Sequence, residues 1–211
     1  MKLGTVAASL GGASAASVAA AGGYHYLSSK NAIVSIKESL KGSRLISDLP
    51  SSSLTKQWQE EFKSAKEDIS RDIEDLKGVT EEVDGGKKLE SWCSRQMDLD
   101  SAKNADVLAL VKKYCLVRSV SSQLSRNKKT LLGSGDEEKS KWQATYKKRE
   151  ERKTDRKDMG LQDAWNGKQE DKDLPKIKEW CSNHQDNDFI ATEDLYTKLL
   201  KWCTVEGATE E

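Results

Sequence analysis

The sequence predicts an all-α protein in which an N-terminal hydrophobic helix is followed by two tandem three-helix repeats. One stretch of the chain occurs twice: in each copy two cysteines lie 22 positions apart, and each cysteine follows a Trp or Tyr. Each cysteine of the first copy recurs 88 positions later, and the motifs are Trp92-Cys93, Tyr114-Cys115, Trp180-Cys181 and Trp202-Cys203. Apolar residues recur at helical spacing, and only 2 of 211 residues are proline, so helix is favoured.

Composition limits both the core and the choice of partners. Hydrophobic residues make up 36% of the chain, against roughly 45–50% in typical soluble domains, and 33% of the residues are charged. Such a chain buries narrow apolar stripes, which suits amphipathic helices. The 35 basic and 35 acidic residues cancel, so no global field steers the chain onto nucleic acid or anionic lipid.

Residues 1–29 are predicted to be a transmembrane anchor or a signal segment. The 27 positions from Leu3 to Ser29 carry no charge when His25 is neutral, and about 20 apolar residues suffice to span a bilayer core. We therefore expect contact with the membrane through residues 3–27. Lys2 and the small residues 19–21 also fit a cleavable signal peptide. A flexible Ala/Gly/Ser tail is the remaining alternative.

Residues 30–52 are predicted to be a juxtamembrane connector, and residues 53–120 the first helical repeat. The repeat opens with the strongest helical stripe of the chain, whose steps are four, three, four, four and three: Trp58, Phe62, Ala65, Ile69, Ile73 and Leu76. Gly78 and Gly85-Gly86 are expected to end this helix and begin a link. A second helix should carry Trp92 and Cys93, and Asn104 is a candidate N-cap for the third.

Residues 121–211 are predicted to be the second repeat with a short tail. Trp142 and Tyr146 follow Trp58 and Phe62 by 84 positions rather than 88, which indicates an insertion of about one helical turn. The insertion is expected within 147–157, which has no apolar residue. Pro175 should fall in the first turn of the next helix, and Thr192 is the candidate N-cap of the last.

The cysteines are the first candidates for chemistry. Zinc sites draw ligands from closely spaced cysteine pairs, whereas these cysteines are at least 22 residues apart, so no metal site is predicted. His184 lies three residues after Cys181 and could activate a thiol, but Gln96 occupies the equivalent place in the first copy. We therefore expect four small, buried cysteine side chains beside anchoring aromatic rings.

Disulfide formation is a separate question. In a simple antiparallel hairpin reversing at 98–103, Cys93 would lie level with residue 108, about 10 Å along the axis from Cys115. A disulfide needs Cα atoms within about 7 Å, so free thiols are predicted. The equal 22-residue spacings and an oxidising compartment favour the opposite, and the bonded state stays open as the alternative.

The segment 141–157 holds eight basic and three acidic residues and could follow a phosphate backbone. Its acids are spaced to pair with its cations along a helix, which favours a solvated, salt-bridged face and makes nucleic acid an improbable partner. The six tryptophans are interpreted as core residues. No phosphate loop, nucleophile elbow or zinc-protease motif occurs, so no catalytic, cofactor-binding or metal residue is assigned, no cofactor is expected, and the protein is predicted not to be an enzyme.

The motif set resembles the large paralogous families of uncharacterised proteins of hemotropic mycoplasmas. The matching residues are Gly22-Gly23-Tyr24, Trp58 with Phe62, and the four aromatic-cysteine pairs. The resemblance implies a membrane-anchored or exported protein that is antigenic and variable. It implies no catalytic or binding residue.

The sequence therefore predicts a membrane-anchored or exported surface and interaction module with an unidentified protein partner. The cations at 30, 37, 41 and 44 follow the span, and by the positive-inside rule alone they would hold the body in the cytoplasm. Long domains translocate largely regardless of flanking charge, so an extracellular body is predicted. The alternative is a cytoplasm-facing module that binds nucleic acid or protein through the basic helix 141–157.

Overall fold

A computed structural model describes residues 33–161, 164–167 and 169–210, and this part of the chain is all-helical. Its eight α-helices are α1 (Ile36–Ser39), α2 (Ser51–Asp72), α3 (Glu82–Gln96), α4 (Ala105–Tyr114), α5 (Val120–Arg126), α6 (Lys139–Glu151), α7 (Glu170–His184) and α8 (Leu195–Cys203). Extended pairing within the described ranges consists of isolated bridges. The all-α prediction is confirmed for these ranges.

The predicted anchor or signal at 1–29 lies outside the described residues. Among the helices that are described, none combines the length and the apolar composition that crossing a membrane requires.

The first half of the structure, residues 33–117, is built on the packing of α2 against α3. The predicted stripe of α2 is buried, with Trp58 2% and Phe62 0% exposed. The helix ends at Asp72, earlier than the stripe suggested, and Ala65 has non-helical angles (φ −128°, ψ 17°) that kink it. The last stripe residue, Leu76, reaches the core from a separate 3-10 helix, Glu74–Leu76.

Gly85 and Gly86 do not end a helix or form a link, so that prediction was wrong. Both lie buried in α3 where it crosses α2. A Cβ atom on Gly85 would be 2.2 Å from the Phe62 ring, and one on Gly86 would be 2.9 Å from the backbone nitrogen of Gln59. Glycine is needed here because the two helices approach too closely for a side chain.

Residues 36–49, part of the predicted connector 30–52, contribute to the first core. Ile36 and Ile46 are fully buried, and Leu40, Leu45 and Leu49 are also buried. The Ile36 amide donates to the Leu99 carbonyl at 2.8 Å, which ties α1 to the loop after α3. Ile33 and Val34 are exposed, so the contribution of the predicted connector to the core begins at Ile36.

The second half, residues 118–210, contains α5 to α8, a short helix followed by three longer ones. Its core contains Trp142, Tyr146 and Trp202, whereas Trp165 and Trp180, also expected in the core, are only partly buried against it. The residues predicted as a one-turn insertion do not lengthen a helix: α6 has 13 residues against 22 in α2, and an irregular segment follows it. Pro175 lies inside α7 rather than in its first turn, and Asp194, not Thr192, is the N-cap residue of α8.

Five backbone hydrogen bonds occur at corresponding places in the two halves. Three tie the short first helix of each half to the loop after its cysteine-bearing helix. They are Ile36 to Leu99, Lys37 to Met97 and Ser101 to Val34 in the first half, and Val120 to Asn187, Ser121 to Gln185 and Phe189 to Arg118 in the second. The other two are Ile46 to Cys115 and Val117 to Arg44, matched by Leu132 to Cys203 and Val205 to Thr130.

Candidate functional site

Each half contains one disulfide, and the prediction of four free thiols was wrong. Cys93 is bonded to Cys115 and Cys181 to Cys203, with Cα–Cα distances of 5.8 and 5.7 Å. All four cysteines are buried, as predicted. The described part of the chain has no free cysteine.

The hairpin geometry failed because the chain does not reverse directly after α3. Residues 97–101 first pair with the α1 segment, where Ser35 and Asp100 form an isolated bridge. Only then does α4 begin, and Cys115 follows as its C-cap. Because of this longer path, Cys115 is not displaced along the helix axis by seven residues, and its Cα lies 5.8 Å from that of Cys93.

A cavity lies beside each disulfide, at corresponding positions of the two halves. The cavity of the first half is about 610 Å³ and is lined by both cysteines and Trp58. That of the second half is about 220 Å³ and is lined by both cysteines and Trp142. The Trp142 indole N–H donates to the Gly133 carbonyl at 2.8 Å, whereas the buried Trp58 N–H has no partner among the described residues.

A polar stripe on α2 joins the halves. Ser53, Gln57 and Glu61 follow one another at steps of four, and each is buried. The Gln57 side chain donates to the Phe189 carbonyl at 3.0 Å and accepts from the Ala191 amide at 2.7 Å. Thr192, which the sequence suggested as a helix cap, instead lies 2.8 Å from the Ser53 hydroxyl.

Glu61 binds two arginines of the second half. Arg118 forms a two-pronged contact with the carboxylate, with 3.0 Å from Nε to Oε2, and Arg126 Nη1 lies 2.7 Å from Oε1. The Glu61 side chain is 2% exposed. Desolvation lowers the pKa of Arg118, and the charge of Glu61 opposes that shift. Removing the carboxylate would leave two largely buried cations facing each other.

A second buried polar cluster lies inside the second half. Asp173 accepts from the Tyr146 hydroxyl at 2.7 Å and from Arg156 at 2.6 Å. The Arg156 guanidinium lies over the Trp165 ring, 4.7 Å from its centroid. Burial, followed by the hydrogen bond to Asp173, raises the pKa of the Tyr146 hydroxyl above its ordinary value. The tyrosine is therefore a neutral donor that orients a carboxylate.

The predicted basic face at 141–157 is only partly on the surface. Arg149 is fully buried and donates to the Gly207 carbonyl at 3.1 Å. Arg156 is 5% exposed and paired with Asp173, and Lys141 pairs with Glu138. Two of the eight cations therefore support the fold of the second half instead of facing a ligand.

The Cys181–His184 pair is excluded as a nucleophile and base, because Cys181 is in the disulfide. His184 stacks on Trp180 at 4.4 Å, and its Nδ1 lies 2.7 Å from the Trp180 carbonyl oxygen. Within the described residues no cluster of His, Cys, Asp or Glu could hold a metal ion. No protein-family model, curated protein or solved structure matches this chain.

The arrangement can position charges and present surfaces. Sequence reasoning missed Gln57, Glu61 and Arg118, which join the halves. The only signal was the step of four from Ser53 through Gln57 to Glu61, a second stripe on α2 beside the apolar one. A polar stripe on an amphipathic helix ordinarily faces solvent, and only a partner surface makes it an interface.

Proposed function

We propose that this protein is an exported, disulfide-stabilised interaction module that works by presenting surfaces and has no catalytic activity. The observation that carries the proposal is the pair of buried disulfides, one in each half. Disulfides persist in oxidising surroundings and are rare where cellular thiols remain reduced. An extracellular body agrees with the bonded cysteines better than a cytoplasmic one does.

The N-terminal segment completes this proposal. We propose that residues 1–29 anchor the protein in a membrane or direct its export, with contact through residues 3–27. The support is the run of 27 uncharged positions followed by Lys30. The resemblance to the hemotropic mycoplasma families points to the same location and to a surface antigen.

We further propose that the body arose by duplication of one unit, in which a short first helix precedes the three helices that the sequence predicted. The five matched hydrogen bonds and the two disulfides of equal spacing support it. The matched bonds also favour units at 33–117 and 118–210 over the predicted boundaries at 53–120 and 121–211. Each unit then begins with its own short helix, α1 or α5.

Nucleic-acid or protein binding through the basic helix 141–157 is the weaker alternative. Arg149 and Arg156 are buried, and Lys141 forms an ion pair with Glu138. A basic groove that follows a phosphate backbone would need those cations at the surface.

Alkylation of the unreduced, natively produced protein followed by mass spectrometry tests the compartment. We expect peptides that link Cys93 to Cys115 and Cys181 to Cys203, with no alkylated cysteine. When a membrane-impermeant biotinylation reagent is added to intact cells, it should label exposed lysines of the protein such as Lys147 and Lys153. Four alkylated cysteines together with full protection of both lysines would contradict export.

A further inference from the structure

A small cavity of about 320 Å³ opens where the two halves meet, between the end of α4 and α5. Four cationic side chains line it, together with the Ser122 hydroxyl and two apolar residues; the cations are Lys112, Lys113, Arg118 and Arg126. None of the described residues that line it is acidic. A cavity with four cations and no lining carboxylate favours an anion.

The inner wall of the cavity carries one uncompensated positive charge. Arg118 and Arg126 share the single carboxylate of Glu61, and their side chains are only 10% and 16% exposed. Both also donate to the Lys113 carbonyl, at 3.3 and 3.4 Å, which holds the two guanidinium groups against the same oxygen. Guanidinium groups held in this way are pre-organised to bind an oxyanion with several hydrogen bonds.

The outer wall adds a second positive charge. Lys113 is 2.9 Å from Asp72 and 3.6 Å from Asp68, and Arg71 binds the same two carboxylates. Lys112 is exposed, and no ion pair to it is formed within the described residues. Around the cavity there are therefore five cations and three carboxylates, which leaves two positive charges. The cations are Lys112, Lys113, Arg118, Arg126 and Arg71, and the carboxylates are those of Glu61, Asp68 and Asp72.

We propose that this junction cavity binds a tetrahedral oxyanion, the sulfate or phosphate group of a ligand. A doubly charged group would balance the two excess cations, and Ser122 would supply a neutral hydroxyl donor beside Arg118 and Arg126. The proposal deepens the interaction role above by naming the chemical class of the partner.

The junction cavity belongs to the contact between the halves, and its lining residues are not all repeated among the described residues of the second half. At an offset of 88, Lys112 corresponds to Leu200, so the cation that is free of an ion pair is replaced by an apolar residue. The C-terminal 3-10 helix, Val205–Ala208, packs against α6. We therefore expect one equivalent of anion at the junction cavity.

Titration of the full-length, oxidised protein with sodium sulfate or sodium phosphate at constant ionic strength tests the site. The readout is the NMR shift of the Arg118 and Arg126 side-chain Nε–H signals, assigned with Arg→Gln variants. We expect saturable shifts with one equivalent bound and none with chloride. Arg126→Gln should weaken binding by ~10-fold or more, as loss of a charge-assisted hydrogen bond does.

Two milder variants and a control keep the test independent of folding. Lys112→Gln should weaken sulfate binding by about 2- to 5-fold, as expected for one exposed charge. Ser122→Ala should also weaken it, while Lys147→Gln, an exposed lysine on α6, should leave it unchanged. Glu61→Gln should bind sulfate more tightly in any preparation that stays folded, because the competing carboxylate is lost.

The result is distinguishable from failure of the exported role. Binding is measured on purified protein, so it can succeed even if the body proves to be cytoplasmic. A phosphate monoester and a sulfate monoester, titrated in parallel, separate the two possible sources of the group. The proposal is overturned if wild type, Lys112→Gln and Ser122→Ala bind sulfate with equal affinity. It is also overturned if Lys147→Gln loses as much sulfate affinity as Lys112→Gln does.

Discussion

The two halves place different chemistry at the same crossing of helices. In the first half, Phe62 of α2 packs directly on Gly85 of α3. In the second half the corresponding residues, at offsets of 84 and 88, are Tyr146 and Asp173, which are joined by a hydrogen bond of 2.7 Å. An apolar contact at close approach is thus replaced by a buried polar pair.

The replacement explains why the segment after α6 differs from its counterpart. A buried carboxylate is costly unless it is paired, and Arg156 in the irregular segment after α6 supplies the partner. The first half has a related group, in which the Asp72 carboxylate accepts from the buried Tyr114 hydroxyl at 2.6 Å and from Lys113 at 2.9 Å, but Asp72 is 18% and Lys113 41% exposed. The ion pair is therefore buried in the second half and partly exposed in the first.

The largest expected effect is in the buried cluster. Asp173→Ala leaves the Arg156 charge without its carboxylate, and breaking a buried pair costs about 3–5 kcal/mol of unfolding free energy. Urea unfolding followed by tryptophan fluorescence measures this loss. The comparison variant in the first half, Asp72→Ala, should cost less, about 1–2 kcal/mol, because Lys113 and Arg71 are exposed and only the buried Tyr114 hydroxyl loses its acceptor. Equal losses in the two variants would remove the contrast between the halves.

Removal of either disulfide should come next. Cys93→Ala with Cys115→Ala, and Cys181→Ala with Cys203→Ala, each open a loop of 22 residues, so each should cost about 3 kcal/mol. Similar losses in the two double variants are expected, because loop length and burial are alike. If only one of the two double variants lost stability, the two disulfides would not be equivalent in the folded protein.

The close approach in the first half is tested by Gly86→Ala. The new Cβ would lie 2.9 Å from the Gln59 backbone nitrogen, so α2 and α3 must separate, and we expect a loss of about 1–3 kcal/mol. Lys87→Ala on the exposed face of α3 is the control and should change stability little. A gain in stability from Gly86→Ala, as helix propensity alone would give, contradicts the packing described here.

The smallest effect is the pH dependence of the surface group. The Tyr114 hydroxyl, followed by Lys113, lowers the pKa of Asp72 to about 2 from its ordinary 3.8. A lowered carboxyl pKa contributes stability above pH 3.8, and that contribution is lost as the pH falls through 3.8 towards about 2. Solvent screening keeps it below ~1 kcal/mol. NMR titration of the Asp72 carboxyl should show a higher midpoint in Tyr114→Phe; a midpoint near 3.8 in the wild type contradicts the assignment.

Much of the fold could be predicted because helical periodicity is local. The stripe from Trp58 to Leu76 predicted the buried face of α2, and the Trp142–Tyr146 pair predicted its counterpart in α6. Burial of all four cysteines also followed from their aromatic neighbours and apolar spacing. These inferences needed only the order of residues along one helix.

The candidate sites could not be predicted in this way. Arg149 and Arg156 lie in a stretch with no apolar residue, and nothing in its pattern distinguishes a buried arginine from a solvated one. The junction between Glu61 and Arg118 joins residues 57 positions apart, which no local period relates. Their partners are set by how the two halves pack.

The sequence by itself determined the helical class, the apolar faces and the matched cysteine spacing, since each depends on residue type and period. Only the tertiary structure decided the disulfides, the glycine crossing at Gly85 and Gly86, and the inclusion of residues 36–49 in the core. Each of these depends on the path of a loop or the distance between two helices. Path and distance are set by the whole packed chain, so a wrong turn at 98–103 was enough to misplace Cys115 by about 10 Å.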